Sequence, residues 1–496
     1  MAGKWVLICA AAVGVVLAVG AAEGAGEPWA GPSFREFSGT VQGNPAGPLW
    51  NDSLSWDRHD LSWGGCEPRQ GEWNQEYLED YGKRVLKHRK RSAYVLPILC
   101  YTAEWAYDRS ERTLEHQGTR WVIQPRADGR FNVTKLTRTP EQTWKETDRS
   151  VQNGSANWAL AAEHVKDWES YVRRAVSFLR KAPYNVEYFQ IWNEAWPTSG
   201  FWFGDMDTYM TRVHLPAAKI IHELGGKVVY GGWPCCATLA EFVSLLDKHR
   251  AWDSVDVLDI HYFPVSGFQF LYDAARKRGY SRAIWQTEIG FTEDPGFVGN
   301  TYPRALHWAL RHNWDRPDMY KIFMFAYWSP DDPKAFGYHR TFYSGEKLGP
   351  HGQSLQTLGE LLKGQALRAY GDVTSNPALV PQLSETQSSL EAFRIGKRIV
   401  VAVHLWQGSK DDSVHLDSGL PGIAIQLPKV KPSDVRMVER CSLTGERVDL
   451  TNGVKVLGPG LSVAVPIREA EASPVQNWLA QTGPQVRTFF VAFELK

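Results

Sequence analysis

The chain has 496 residues, 43% hydrophobic and 22% charged, with 55 basic against 55 acidic side chains. That composition is globular and excludes a disordered chain, and a formal net charge of zero offers no basic face for nucleic acid or an anionic membrane. The length suits a barrel of about 250 residues or more with a smaller module beside it.

Residues 1–25 read as a secretory signal. Lys4 supplies the positive start, Val6 to Val19 an apolar run, and Gly20, Ala21, Ala22, Gly24 and Ala25 the cleavage sites. The run is too short and too broken by glycine for a membrane anchor, and no later stretch is apolar over a bilayer's width. The mature chain is expected to be secreted or periplasmic, without a membrane span. Beyond Cys9 the cysteines are Cys66, Cys100, Cys235, Cys236 and Cys441. An odd count in a large chain is no disulfide framework, and the adjacent Cys235 and Cys236 lack zinc spacing. Mostly free, buried thiols are expected, with one bridge open. Glycosylation sequons occur at Asn51, Asn132 and Asn153.

Phe34 to Val41 reads as a first strand. The stretch from Trp56 to Trp73 contains Glu67-Pro68, a turn in which Glu67 is expected to be structural. A helix over Glu76–Lys90 leads to a strand over Tyr94–Cys100 that ends near Glu104-Trp105. Trp105 suits a sugar-stacking wall and a core position equally. Residues 106–157 show little periodicity and many charges of both signs. They are expected to form a long loop, selecting substrate if it lies on the catalytic face, or else a solvated variable loop.

Trp158 to Lys181 has apolar residues at helical spacing. It feeds the strand Val186–Trp192, rich in β-branched and aromatic residues, which stops at Asn193-Glu194 before Pro197. Alternation continues: helix Met206–Leu224, strand Val228–Gly232, helix Leu239–His249, strand Val257–Phe263, helix Phe268–Arg278 and a strand ending at Glu288. A helix over Tyr302–His312, a strand over Ile322–Trp328 and a helix over Ser354–Leu362 follow. Alternating strands and helices imply a parallel sheet, and eight strands imply a (β/α)8 TIM barrel over residues 26–368. From 369 to 496 short alternating strands predict a C-terminal β-sandwich, expected to pack on the barrel rather than to bind carbohydrate.

An amide and a carboxylate at the end of an apolar strand are costly unless they face a wet cavity. In a TIM barrel that cavity is at the C-terminal face. Glu288 ends a second such strand. This pair, with Asp259-Ile-His-Tyr-Phe-Pro264 and Phe325-Ala-Tyr-Trp-Ser-Pro330, resembles the retaining glycoside hydrolases of clan A, family 39 and its neighbours. The resemblance implies Glu194 as acid/base and Glu288 as nucleophile. It implies Asn193 as donor to the sugar 2-hydroxyl, His261 and Tyr262 lining the cleft, and Trp328 flooring the cleavage subsite. The clan's tyrosine often lies two residues after the histidine, where this chain has Phe263. The clan also carries an arginine beside the nucleophile, for which Arg58 is the nearest candidate.

A carbohydrate partner is therefore expected, and no cofactor. No metal-ligand spacing, phosphate-cradling loop or nucleotide fingerprint appears in the sequence, nor a nucleophile elbow. The alternative is a non-catalytic glycan-binding protein on the same barrel, against which both glutamates argue. An amidase-like barrel would need a metal or thiol nucleophile.

Overall fold

The computed structural model describes residues 29–43, 45–152, 158–197, 199–290, 295–325, 342–344, 347–376, 387–406, 423–466, 472–474 and 485–496. The signal segment 1–25, Asn153 and Trp328 lie outside them.

Eight strands close into a barrel in chain order: β1 (Ser38–Val41), β2 (Trp56–Ser62), β3 (Tyr94–Cys100), β4 (Tyr188–Ile191), β5 (Lys227–Val229), β6 (Val257–His261), β7 (Ala283–Gly290) and β8 (Tyr320–Phe325). Every neighbouring pair is parallel. The first strand is shorter than predicted because Phe34–Phe37 forms a helical turn, capped by the Ser33 side chain on the Glu36 N–H.

Alternation along each strand sorts side chains into two layers. Trp56, Leu96, Tyr188, Val229, Val257, Trp285 and Phe323 fill the barrel interior as one cluster. The opposite faces pack on helices such as Gln75–Arg89, Val165–Arg180 and Pro295–Arg311. Val165–Arg180 buries Trp168, Tyr171, Val172, Ala175, Val176 and Leu179, a stripe at helical spacing.

The stretch predicted as a loop over 106–157 is instead a four-stranded antiparallel sheet: Arg112–His116, Thr119–Pro125, Phe131–Arg138 and Trp144–Gln152. Its strands are polar on one face, so their period-two signal is diluted by charge. Leu114, Ile123, Phe131 and Val133 point to the other face and bury Tyr107 and Trp158 in a small core of their own.

Two further sheets follow the barrel. One, of seven strands, contains Gln387–Ile395, Arg398–Trp406, Val435–Cys441 and Gln485–Leu495; the other, of four, contains Ile423–Leu427 and Gly460–Val465. Ile399, Val401 and Val403 pack between the sheets. Val400 and Ala402, pointing the other way, join the barrel's helix-facing core. The larger sheet is thus buried on both faces, and the sandwich is a packing partner of the barrel. Among the described residues no helix is long and apolar enough to cross a membrane.

Candidate active site

β4 ends at Ile191, and the chain turns sharply into the barrel mouth. Trp192 and Glu194 both adopt left-handed backbone, with φ of 69° and 45°. Such conformations cost free energy in non-glycine residues and persist only where neighbours hold them. Here the Trp192 N–H donates to the Leu99 carbonyl at 2.9 Å and the Glu194 N–H to the Gly231 carbonyl at 2.6 Å. Tyr209 Oη holds the Ile191 carbonyl at 3.0 Å.

Gly231 and Gly232, at the exit of β5, sit in two close contacts. A Cβ on Gly231 would lie 2.3 Å from the Ile191 carbonyl oxygen, and one on Gly232 would lie 2.2 Å from His261 Nε2. Only glycine lets the β5 exit loop approach both β4 and the histidine ring.

The two glutamates meet at the barrel mouth. One carboxylate oxygen from each and one His261 nitrogen all lie within 4.8 Å of one another. His261 Nδ1 is 2.9 Å from Glu194 Oε1 and 3.6 Å from Glu288 Oε2. Glu288 accepts from Arg58 Nη1 at 2.9 Å through one oxygen and from Tyr262 Oη at 2.9 Å through the other. Burial pushes the Glu288 carboxyl up, against the charges of His261 and Arg58 that pull it down. Both its oxygens face donors, an arrangement a carboxylate fills.

Arg58 is 2% exposed and points inward from β2 between Asp57 and His59, which face outward. Besides Glu288 it donates from Nη2 to Asn193 Oδ1 at 2.5 Å and from Nε to Gln190 Oε1 at 2.7 Å. Holding the Asn193 oxygen leaves that side chain's amide hydrogens for a ligand. Tyr262 has φ of 60°, and the β6–β7 register slips between Asp259 and His261. That irregularity lets a tyrosine one residue after the histidine reach Glu288.

Trp105 is half-buried; its ring packs edge-on against Trp63 and His164 and its Nε1 donates to the Glu67 carbonyl. None of these partners belongs to the carboxylate cluster. Glu67 accepts from Trp63 Nε1 and the Gly71 N–H, a turn-holding role. None of Cys66, Cys100, Cys235, Cys236 and Cys441 forms a disulfide; the first two and Cys441 are buried, while Cys235 and Cys236 are at least partly exposed. Sequence reading passed over Gln190, Asp259 and Thr287, each essentially buried. Their signal was a polar residue inside an otherwise apolar strand.

Among the described residues two groups of side chains could in principle hold a metal: Glu194, His261 and Glu288, and, outside the barrel wall, Asp57, His59 and His88. Each has a guanidinium against it, Arg58 on Glu288 and Arg84 on His59. In the second group Asp57 Oδ2 lies 2.5 and 2.7 Å from the two imidazoles, hydrogen-bonding separations rather than those of two ligands around one ion.

No family model and no curated protein matches this chain. Among solved structures, a family 39 glycoside hydrolase from the gut symbiont Bacteroides cellulosilyticus WH2 superposes with TM-score 0.55 at 13% identity, over 94% of this chain and 81% of its own. A GH30 endoxylanase from Clostridium papyrosolvens C71 superposes with TM-score 0.50 at 11% identity, over 94% and 97%. The chain shares the fold of these clan A glycoside hydrolases, a TIM barrel with a β-sandwich.

Proposed function

We propose that the protein is a retaining β-glycosidase acting on an oligo- or polysaccharide. The observation that carries this reading is the pair Glu194, just past β4, and Glu288, near the end of β7, with oxygens within 4.8 Å of each other. Retaining enzymes place their carboxyl groups about 5–5.5 Å apart and inverting ones about 6.5–9.5 Å apart. Glu288, gripped by Arg58 and Tyr262, attacks the anomeric carbon. Glu194 protonates the departing oxygen, then takes a proton from the water that cleaves the glycosyl-enzyme. Asn193 donates to the sugar 2-hydroxyl as charge develops. The apolar stretch before Ala25 supports export, with glycans outside the cell as substrates.

Proton NMR of the first product from a β-glycoside tests the assignment. The β-anomer is expected; an initial α-anomer excludes retention. Turnover of no chromogenic β-glycoside or polysaccharide would favour a glycan-binding role.

A further inference from the structure

Behind Glu194 stands a chain of buried polar groups that glycosidic chemistry does not by itself require. His261 Nδ1 faces Glu194 Oε1 at 2.9 Å, and Nε2 faces Thr287 Oγ1 at 3.0 Å. Thr287 Oγ1 lies 2.6 Å from Asp259 Oδ2 and 3.5 Å from Gln190 Oε1, and its N–H donates to Asp259 Oδ1 at 2.9 Å. Asp259, His261 and Thr287 are fully buried.

The direction of each hydrogen bond follows from the inventory of donors. The Asp259 carboxylate only accepts, so the threonine hydroxyl gives it its proton. Thr287 Oγ1 then has only lone pairs left for His261 Nε2, which must carry hydrogen. Nδ1 is therefore the nitrogen left to exchange a proton with Glu194.

Resting on the glycosidase reading, we propose that Asp259 and Thr287 are positioning residues that lock His261 as the Nε2-protonated tautomer. One proton is then held between Nδ1 and Glu194. In the first half-reaction this proton moves to the leaving oxygen as the glycosidic bond breaks and the bond to Glu288 forms. A neutral imidazole and the Glu194 carboxylate remain, lone pair against lone pair. That repulsion makes the pair a stronger base. In the second half-reaction the proton of the attacking water fills the gap as the bond to Glu288 breaks.

The groups facing His261 are Glu194 from the β4 exit, Asp259 and the Tyr262 ring from β6 and its exit, and Thr287 and Glu288 from β7. The β5 exit contributes backbone, Gly232 against the ring and the Trp233 carbonyl accepting from the His261 N–H at 2.9 Å. Burial pushes the imidazolium down, but Glu288, Asp259 and Glu194 outweigh it and lift it to about 9, in keeping with a proton retained at neutral pH.

The test is 15N-histidine NMR on the whole protein, with Thr287→Val and Thr287→Ser. In the wild type at high pH, neutral His261 should show the Nε2–H tautomer; Nδ1–H overturns the relay whatever the variants do. Thr287→Val should lower the His261 titration by a pH unit or more, and Thr287→Ser should restore it; no shift in Thr287→Val overturns the proposal. The same Thr287→Val change should cut kcat about tenfold for a poor leaving group and less for dinitrophenolate, which needs no proton. An equal loss on both substrates would indicate a merely structural threonine. The titration is read without substrate, so a protein that cleaves no glycoside overturns the proposed activity, not the tautomer.

Discussion

The two glutamates differ in what holds them, and in the proposed mechanism that difference divides their labour. In the proposed mechanism Glu288→Ala removes the attacking atom, so turnover should fall at least about 10³-fold for every leaving group, about 4 kcal/mol. Glu194→Ala should cost about 10²–10⁴-fold on poor leaving groups and far less on dinitrophenyl glycosides. Azide should rescue both, yielding a β-azide from Glu194→Ala and an α-azide from Glu288→Ala; exchanged anomers would exchange the roles. Arg58→Met strips the buried carboxylate of its 2.9 Å partner. A loss of about 3 kcal/mol, about a hundredfold in kcat/KM, is expected, with the acid limb of the pH profile moved upward. An unmoved limb would show that Arg58 does not set the charge on Glu288. On the outer face of β2, burial pushes the Asp57 carboxyl up, but His59 and His88 outweigh it and bring it to about 2. The folded value lies below the ordinary 3.8, so the stabilisation is present above pH ~4 and lost as pH falls through about 2, on the order of 2 kcal/mol. Asp57→Asn should lower Tm at pH 7 and narrow the gap between pH 7 and pH 3; equal Tm values at pH 7 would refute this.

At the scale of elements, the sheet over 112–152 stands between β3 and β4 and reaches the loop after β4. His116, on its first hairpin, packs edge-on against Trp196 at 4.9 Å, two residues beyond Glu194. Its core is a cluster distinct from the barrel's and covers Tyr107 and Trp158 of the flanking chain. Replacing residues 111–152 with a short Gly/Ser linker should leave thermal unfolding cooperative and raise KM for oligosaccharides more than for aryl monoglycosides. Equal effects on both would remove the sheet from substrate selection. This is also where sequence reading failed most: charged, half-exposed strands such as Trp144–Gln152 bury too few side chains to show a clean period. Strand β3, buried from Val95 to Cys100, was legible as a continuous apolar run.

For the whole molecule, the sandwich closes the core rather than hanging from it. A Cβ on Gly299, in helix Pro295–Arg311, would lie 2.3 Å from Leu443 Cδ2 of the sandwich. His404 of the sandwich is buried against Asn300 of the same helix and pairs with Glu391 at 2.9 Å. Each apolar side chain uncovered by removing residues 367–496 would forfeit about 1.5–3 kcal/mol. The truncated barrel should therefore aggregate or lose its cooperative transition in calorimetry. A soluble barrel with unchanged Tm would show the two units to be independent.

The sequence alone determined the alternation of strands and helices, hence the barrel, because burial imposes a period that any reader of the chain can count. It also picked out Glu194 and Glu288, because a carboxylate ending an apolar strand is too costly to lack a purpose. It placed Arg58, His261 and Tyr262 near the cleft only by resemblance. Which oxygen of Glu288 meets Arg58, and how Tyr262 reaches it past a slipped register, was decided by tertiary structure. So was the close approach of Gly231 and Gly232 to β4 and to the His261 ring. These outcomes depend on distances between strands far apart in the chain, and a hydrogen bond is lost within an ångström, a precision that local pattern does not carry.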